Sequence, residues 1–467
     1  MDYISTRDDN GKTCDFEKVL LNGLAPDGGL YVPIYFPKFS IKKIQSLKTL
    51  DYSHLVYEIT KEFVQPSIPY EDYLKICKKT YDCFGDKDKI SITKLNNKES
   101  ILNLYHGPTA AFKDFALQLL GNIYDYILKK KKIDLVILGA TSGDTGSAAI
   151  NGCSKSEKIK IFILFPNNKV SDVQRRQMTT FKNKNVYNLA INGDFDDCQN
   201  IVKEIFKENH KEKKYNLSGV NSINWVRIMG QIVYYFWSYL KICKMQEKLI
   251  FSVPTGNFGN IYAGFVAKQM GLPIQKLVIA SNLNDVLKRF LDSGKLSLKK
   301  TQKTLSPSMD IQISSNFERL LFFYYGNSSK PIKKLYNSLK KDKSFTVSQN
   351  ILENIKQTFR GGKIDDKQTI STIKDIYEKF KVIIDPHTAV GLRIGRKILE
   401  ESDQKIVYLA TAHYAKFLDS IKYKVNHFSN LELPKNFADL FHLDEKFEIL
   451  EKNIKIVKAF MSENLTN

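Results

Sequence analysis

The sequence predicts an α/β protein: two doubly wound α/β domains with a cleft between them, preceded by an N-terminal extension. Three observations carry that expectation. From about residue 100 onward, short β-rich apolar runs alternate with amphipathic helical patterns, the texture of parallel sheets covered on both faces. Two glycine-rich loops, "GATSGDTG" (139–146) and "TGNFGN" (255–260), each sit between a strand pattern and a helix pattern. The long apolar stretch "NSINWVRIMGQIVYYFWSYL" (221–240) divides the alternation into two runs. The expected divisions are an extension over 1–98, a first α/β domain over 99–235 and a second over 236–467.

Taken in order, the extension is mixed in character, with a turn-rich segment "LAPDGGLYVP" (24–33) and an amphipathic helix over "YEDYLKICKKTYDCF" (70–84). "IDLVILGA" (133–140) predicts a strand, and "TSGDTGSAAINGC" a glycine-rich turn entering a helix. "KIKIFILFP" (158–166) and "NVYNLAING" (185–193) are further strands. "DFDDCQNIVKEIFKEN" (194–209) opens on acidic residues, which suit the positive end of a helix dipole. In the second run, "KLIFSVP" (248–254) is a strand, "TGNFGN" a loop, "IYAGFVAKQMG" (261–271) a helix stopped by Gly and Pro, and "QKLVIAS" (275–281) a strand. The lysine run "LKKKKID" (128–134) reads as a helix end facing water. No internal repeat or low-complexity tract appears.

Composition narrows the function classes. The 467 residues suffice for two or three domains, and 43% hydrophobic residues fit a globular chain. The formal charge of +21 favours anions in general, but nine of the 71 basic residues are Arg, and the lysines are dispersed. Nucleic-acid readers lean on Arg forks, so no nucleic-acid partner is expected. The six cysteines form no CxxC pair and no metal-ligand spacing, so neither a disulfide framework nor a metal site is expected. The polar start "MDYISTRDDN" is no signal peptide, and the most apolar run is too short and interrupted to span a bilayer. The chain therefore reads as a cytoplasmic protein without a membrane partner. Its oligomeric state leaves no mark in the sequence.

One lysine stands apart. In "YHGPTAAFKDFAL" (105–117), Lys113 lies among Phe112, Phe115, Ala110, Ala111 and Ala116. A lysine at a helix start is most often solvated. Here it reads as the one lysine with so apolar a neighbourhood, which would disfavour the ammonium form. The two loops offer exposed N–H groups at helix N-termini, which attract anions. Gly256 and Gly259 let the backbone wrap closely, and Asn257 and Asn260 add donors without charge. Either loop alone could be an ordinary tight connection. Neither is a P-loop, because no Lys-Ser/Thr follows, and neither has the dinucleotide pattern G-x-G-x-x-G. An isolated lysine beside a phosphate-binding loop, without a metal or nucleotide motif, is what pyridoxal 5'-phosphate chemistry requires.

The chain resembles the threonine synthase family in its longer microbial form, over most of its length. The resemblance rests on "YISTRDDNGKTCDFEKVLLNGLAPDGGLYVP", "YHGPTAAFKDFALQ", "GATSGDTGSAAI", "VSDVQRRQM", "NSINWVRI", "GNFGN", "LSPSMDIQISSNFERLLF" and "LATAHYAKF", in the family's order. It implies a tryptophan-synthase-β-like fold of type II, pyridoxal phosphate as cofactor, and conversion of O-phospho-L-homoserine and water to L-threonine and phosphate.

Carried over residue by residue, the resemblance makes Lys113 the Schiff-base lysine. Gly256, Asn257, Phe258, Gly259 and Asn260 would cradle the cofactor phosphate, and Thr411 would face the pyridine nitrogen. Ser142, Gly143, Asp144 and Thr145 would meet the substrate carboxylate or the ring face. Asn221 and Arg227 would hold the substrate phosphate, although an ion-paired structural role is open to Arg227. Tyr414 stands where the family usually has Pro, which leaves the shape of the Thr411 loop open. His106, His387 and His413 are weaker cleft candidates. Two other readings stay open at this level: a phospho-lyase of the same fold that stops at 2-oxobutanoate, and a non-catalytic basic anion-binding protein.

Overall fold

The alternation is realised as two parallel sheets in a computed structural model describing residues 1–84, 89–212, 214–244, 246–425 and 428–466. The larger sheet has six strands in the order 359–363, 274–281, 249–254, 405–410, 99–103 and 91–94. All its pairings are parallel except the last, an antiparallel edge hairpin. The smaller sheet has five parallel strands in the order 448–451, 186–192, 159–166, 135–140 and 217–218. Strands buried on both faces read as continuous apolar runs, and Leu249–Pro254 is buried at every position.

Strands and helices expected from the pattern recur within a few residues of their predicted ends, among them Leu135–Ala140, Ile159–Pro166, Tyr70–Tyr81 and Phe195–Glu212. The apolar stretch 221–240 becomes the helix Trp225–Ile242, capped by the Asn224 side chain. It packs against helices Tyr52–Val64, Lys113–Lys131 and Gly259–Gln269, so it is apolar nearly all round because it is buried nearly all round. No helix among the described residues is long and apolar enough to cross a membrane.

Two helices meet unusually closely. A Cβ added at Gly121 would lie 1.9 Å from the Gly152 carbonyl oxygen, and one at Gly152 would lie 2.4 Å from that of Leu117. Only glycine allows this approach of helix Lys113–Lys131 to helix Asp144–Cys153. Each contact glycine lies eight residues after its helix begins, so the crossing brings the two helix starts, and Lys113 and Asp144, side by side.

The ends of the chain fasten onto this frame. Arg7 pairs with Glu318 at 2.6 Å, and the buried Arg319 donates through Nε to the Tyr31 carbonyl at 3.0 Å. Near the C-terminus, Glu445 accepts from Arg175 Nε at 2.8 Å, and the Lys446 amide donates to the Thr179 carbonyl at 2.6 Å. The strand Glu448–Glu451 then joins the smaller sheet as its edge.

Candidate active site

The site gathers where strands of the larger sheet end and the helix starts of the smaller sheet's layer face them. Ala111 and Ala412 form an isolated antiparallel bridge. The Phe112 amide donates to the Thr411 carbonyl at 2.9 Å, and the His413 amide to the Ala110 carbonyl at 3.1 Å. This bridge, not a proline, fixes the loop in which Tyr414 departs from the expected Pro. Tyr414 starts a single 3-10 turn and its ring lies 4.4 Å from that of His413. Thr411, buried at the end of strand Lys405–Ala410, is thereby held beside the segment that carries Lys113.

Lys113 is the first residue of its helix, with a side chain 11% exposed. Its Nζ donates to Asp144 Oδ2 at 3.2 Å and lies 5.0 Å from the centre of the Phe112 ring. Burial draws the amine below the ordinary lysine range; Asp144 opposes that shift, while Lys416 and Arg227 add to it.

Asp144 begins its own helix after a tight turn. Gly143 sits at φ +134°, and Thr141 Oγ1 accepts from the Gly143 and Gly146 amides at 3.0 and 2.9 Å. Besides Lys113, the Asp144 carboxylate accepts from Lys416 Nζ at 2.8 Å and from Gln174 Nε2 at 2.8 Å. Burial resists its ionisation, but the two ammonium groups outweigh burial and hold it well below the usual carboxylate range. Its carboxylate is thus occupied by cations, whereas Ser142 and Thr145 beside it are partly exposed.

Lys416 corrects the expectation that Lys113 is the one lysine in an apolar setting. Flanked by Ala415 and Phe417, its side chain is fully buried, more deeply than that of Lys113. The signal was present in "AHYAKF", where the same small and aromatic neighbours surround a lysine.

The second loop is a tight turn that leads into a helix. Phe258 adopts φ +64° and the helix Gly259–Gln269 follows. A Cβ at Gly256 would lie 2.6 Å from the Ser308 carbonyl oxygen, so this position requires glycine. The Gly256 carbonyl accepts from the Ser314 hydroxyl at 2.6 Å, and the Asn257 carbonyl from the Asn316 amide at 3.1 Å. Carbonyl and N–H of a planar peptide point oppositely, so these bonds turn the Asn257 and Phe258 N–H groups to the other side of the loop. Asn260 Oδ1 accepts from Tyr234 and Tyr235 at 2.6 and 2.9 Å, while its buried Nδ2 has no partner among the described residues.

Arg227 lies in the helix Trp225–Ile242 and is 2% exposed. Its Nη1 donates to the Val220 carbonyl at 2.6 Å, and its Nε has no partner among the described residues. Burial brings its pKa down to about 10. No ion pair to a carboxylate is found for it among the described residues, so the ion-paired structural role has no support. Asn221 sits in the exposed turn just ahead, next to the Val220 carbonyl.

The three histidines divide. His387 Nδ1 pairs with Asp385 at 2.7 Å and its Nε2 accepts from the Ser308 amide at 3.3 Å. The second bond makes Nε2 the acceptor and places the ring proton on Nδ1. His413 Nδ1 accepts from the Ala415 amide at 3.2 Å. His106 Nε2 pairs with the Ser91 hydroxyl at 2.7 Å.

Comparison with known proteins decides the family. Residues 2–81 match the family described as Threonine synthase N terminus, 94–333 match Pyridoxal-phosphate dependent enzyme, and 388–461 match Threonine synthase, C-terminal. The chain is 44% identical over 464 residues to the threonine synthase of Pseudomonas aeruginosa, covering 99% of this chain and 98% of that one. The chain belongs to the threonine synthase family. A pyridoxal-phosphate-bound threonine synthase from Brucella melitensis superposes with a TM-score of 0.94 at 42% identity, over 99% of both chains. The yeast threonine synthase gives 0.95 at 38% identity, over 100% of this chain and 99% of the other.

Membership makes this a pyridoxal-phosphate-dependent threonine synthase fold of type II, with two parallel sheets and the family's N-terminal region. The residues fit that cofactor. A threonine synthase needs an amine for the aldehyde and a seat for the phosphate. A largely buried amine is present at Lys113, and the turned N–H groups and the Asn260 amide nitrogen, unpartnered among the described residues, are donors of the kind a phosphate needs.

Proposed function

We propose that the chain takes O-phospho-L-homoserine as its substrate and releases L-threonine and phosphate, with Lys113 as the cofactor-bearing residue. The observation that carries this reading is the Lys113 amine, nearly buried at the start of its helix and 3.2 Å from Asp144, the first residue of a second helix. Joined to a lysine, pyridoxal phosphate supplies an electron sink for the α carbon of an amino acid. The Gly256–Asn260 loop holds the cofactor phosphate through backbone N–H groups and Asn260 Nδ2. Thr411 offers a neutral hydroxyl to the ring nitrogen, so nothing there forces that nitrogen to carry a proton.

The substrate brings a carboxylate and a phosphate, and the site offers a place for each. The helix start at Ser142, Gly143, Asp144 and Thr145 receives the carboxylate through backbone donors, since the Asp144 side chain is already committed to cations. Asn221 and Arg227 receive the phosphate, with the unpartnered Arg227 Nε as one donor. Lys113 takes protons from the substrate's α and β carbons as phosphate leaves the γ carbon; a proton is then returned to the γ carbon to make the methyl group, water adds its hydroxyl at the β carbon, and a proton returns to the α carbon. The same reading sets the enzyme in the cytoplasm, which its free thiols suit.

Lys113→Ala tests the assignment. The variant should fold, lose the visible absorbance of lysine-bound cofactor, and make no threonine. An active Lys113→Ala protein with the normal absorbance would overturn it. Chromatography of the products adds a second check, because 2-oxobutanoate without threonine would replace the proposed reaction by elimination alone.

A further inference from the structure

Two ammonium groups face one carboxylate at the centre of the site. Lys416 Nζ donates to Asp144 Oδ1 at 2.8 Å and to the Thr109 carbonyl at 2.7 Å, with no exposed side-chain surface. Lys113 Nζ reaches Asp144 Oδ2 at 3.2 Å and keeps 11% of its side chain exposed. Arg227 adds a third cation within electrostatic reach of Lys113. The remaining acid is Asp114, whose two oxygens accept from the Thr109 hydroxyl and amide at 2.7 and 2.8 Å. Asp144 is therefore the one carboxylate paired with Lys113 among the described residues, and it is shared.

We propose that Lys416 is a positioning residue for the reaction: it takes Asp144 as its own counter-ion, so that the carboxylate orients the Lys113 amine without fixing it as an ammonium. A buried carboxylate facing a single lysine favours the charged form of both. Lys113, Lys416 and Arg227, set against Asp144 and the less readily ionised Asp114 beside Lys416, leave excess positive charge in a poorly hydrated pocket, which is relieved when one ammonium gives up its proton. Lys113 is the group that gives it up, because its contact with Asp144 is longer and it lacks the second acceptor that Lys416 has in the Thr109 carbonyl. Lys416 also fastens three segments, 109–114, 141–146 and 413–417, at the point where their residues meet. This role rests on Lys113 being the cofactor lysine.

The experiment compares Lys416→Met, which keeps the length and removes the charge, with Lys416→Arg, which keeps the charge. One measurement is the pH dependence with which the cofactor-free protein takes up pyridoxal phosphate, trapped on Lys113 by borohydride. The other is the pH profile of kcat/KM. In Lys416→Met both acidic limbs should move up by about one pH unit or more, as expected when a lysine gains an undivided carboxylate. Trapping at neutral pH should then fall about ten-fold, while Lys416→Arg keeps the original limbs. A folded Lys416→Met protein with unmoved limbs overturns the proposal, even if its melting temperature has dropped. Should Lys416→Met not fold, Asp144→Asn serves instead, and its trapping limb should move down; an unmoved limb there also overturns the proposal. Trapping on a residue other than Lys113 would instead defeat the cofactor-lysine reading on which the proposal rests.

Discussion

At the residue scale, the site combines groups whose need is visible locally with groups whose partners are remote. Lys113 and the glycines of 256–260 stand out in the sequence because an apolar surround for an amine and a close backbone approach each leave a mark in the neighbouring residues. Asp144 and Lys416 lie 272 positions apart in the chain, and no local pattern tells that they meet. Asp144 accordingly reads from sequence as a substrate contact, whereas in space its carboxylate is a counter-ion. Arg227 moves in the other direction, since its burial without a carboxylate favours an anion from outside the chain. Arg227→Lys keeps the charge and loses the fork. A charge-assisted hydrogen bond is worth about 1.5–3 kcal/mol, so phosphohomoserine binding should weaken roughly ten- to a hundred-fold. Cofactor affinity should hardly change. Titration of phosphohomoserine against the cofactor spectrum, beside a melting curve, measures both. A fall in melting temperature with unchanged substrate affinity would return Arg227 to a structural role.

At the element scale, the decisive contact is between the helices that begin at Lys113 and Asp144. Gly121 and Gly152 let their backbones touch, so the separation of the two charged side chains is set by a contact two turns away. Gly152→Ala should gain helix propensity and lose more through overpacking, a net cost of about 1–3 kcal/mol. It should also lengthen the Lys113–Asp144 separation, lowering kcat with the melting temperature. Urea unfolding and steady-state kinetics on one preparation check both. A variant as stable as the parent would show that the helices separate without strain. Strands illustrate the limit of local reading. Leu135–Ala140 and Leu249–Pro254 are apolar and evident. The strand Glu99–Asn103 begins on a glutamate that is buried only because Arg396 Nε and the Tyr408 hydroxyl each donate to it at 2.7 Å, contacts some 300 residues away.

At the scale of the whole molecule, two buried titrating groups near the site pull stability in opposite directions with pH. Burial raises the Asp114 carboxyl to about 6 and lowers the His413 imidazole to about 4. Folded Asp114 keeps its proton to higher pH than the unfolded chain does, so its contribution is present at about pH 4 and lost by about pH 6. Folded His413 binds its proton less readily than the unfolded chain, so its contribution is lost as pH falls from about 6.5 to 4. Each is on the order of 2–3 kcal/mol at full extent and they largely cancel in the intact protein. Relative to the parent, Asp114→Asn should gain stability as pH rises from 4 to 6.5, and His413→Gln should lose it. Denaturant unfolding at pH 4.5 and 6.5 tests both signs, and parallel curves for all three proteins would refute the assignment.

The order of strands has a consequence for how the protein comes into being. Lys405–Ala410 lies between Leu249–Pro254 and Glu99–Asn103, joining two parts of the larger sheet that are otherwise not bonded to one another. Synthesis delivers this keystone late, and Thr411 and Lys416 emerge directly behind it. A ribosome that has reached residue 404 has long since released Lys113, yet the nascent chain has no pocket around it. Contacts this distant in sequence also slow folding. Until translation has passed the Thr411 loop, Lys113 therefore lacks the neighbouring Thr411 backbone contact and the Lys416–Asp144 pair that adjoin it in the folded protein.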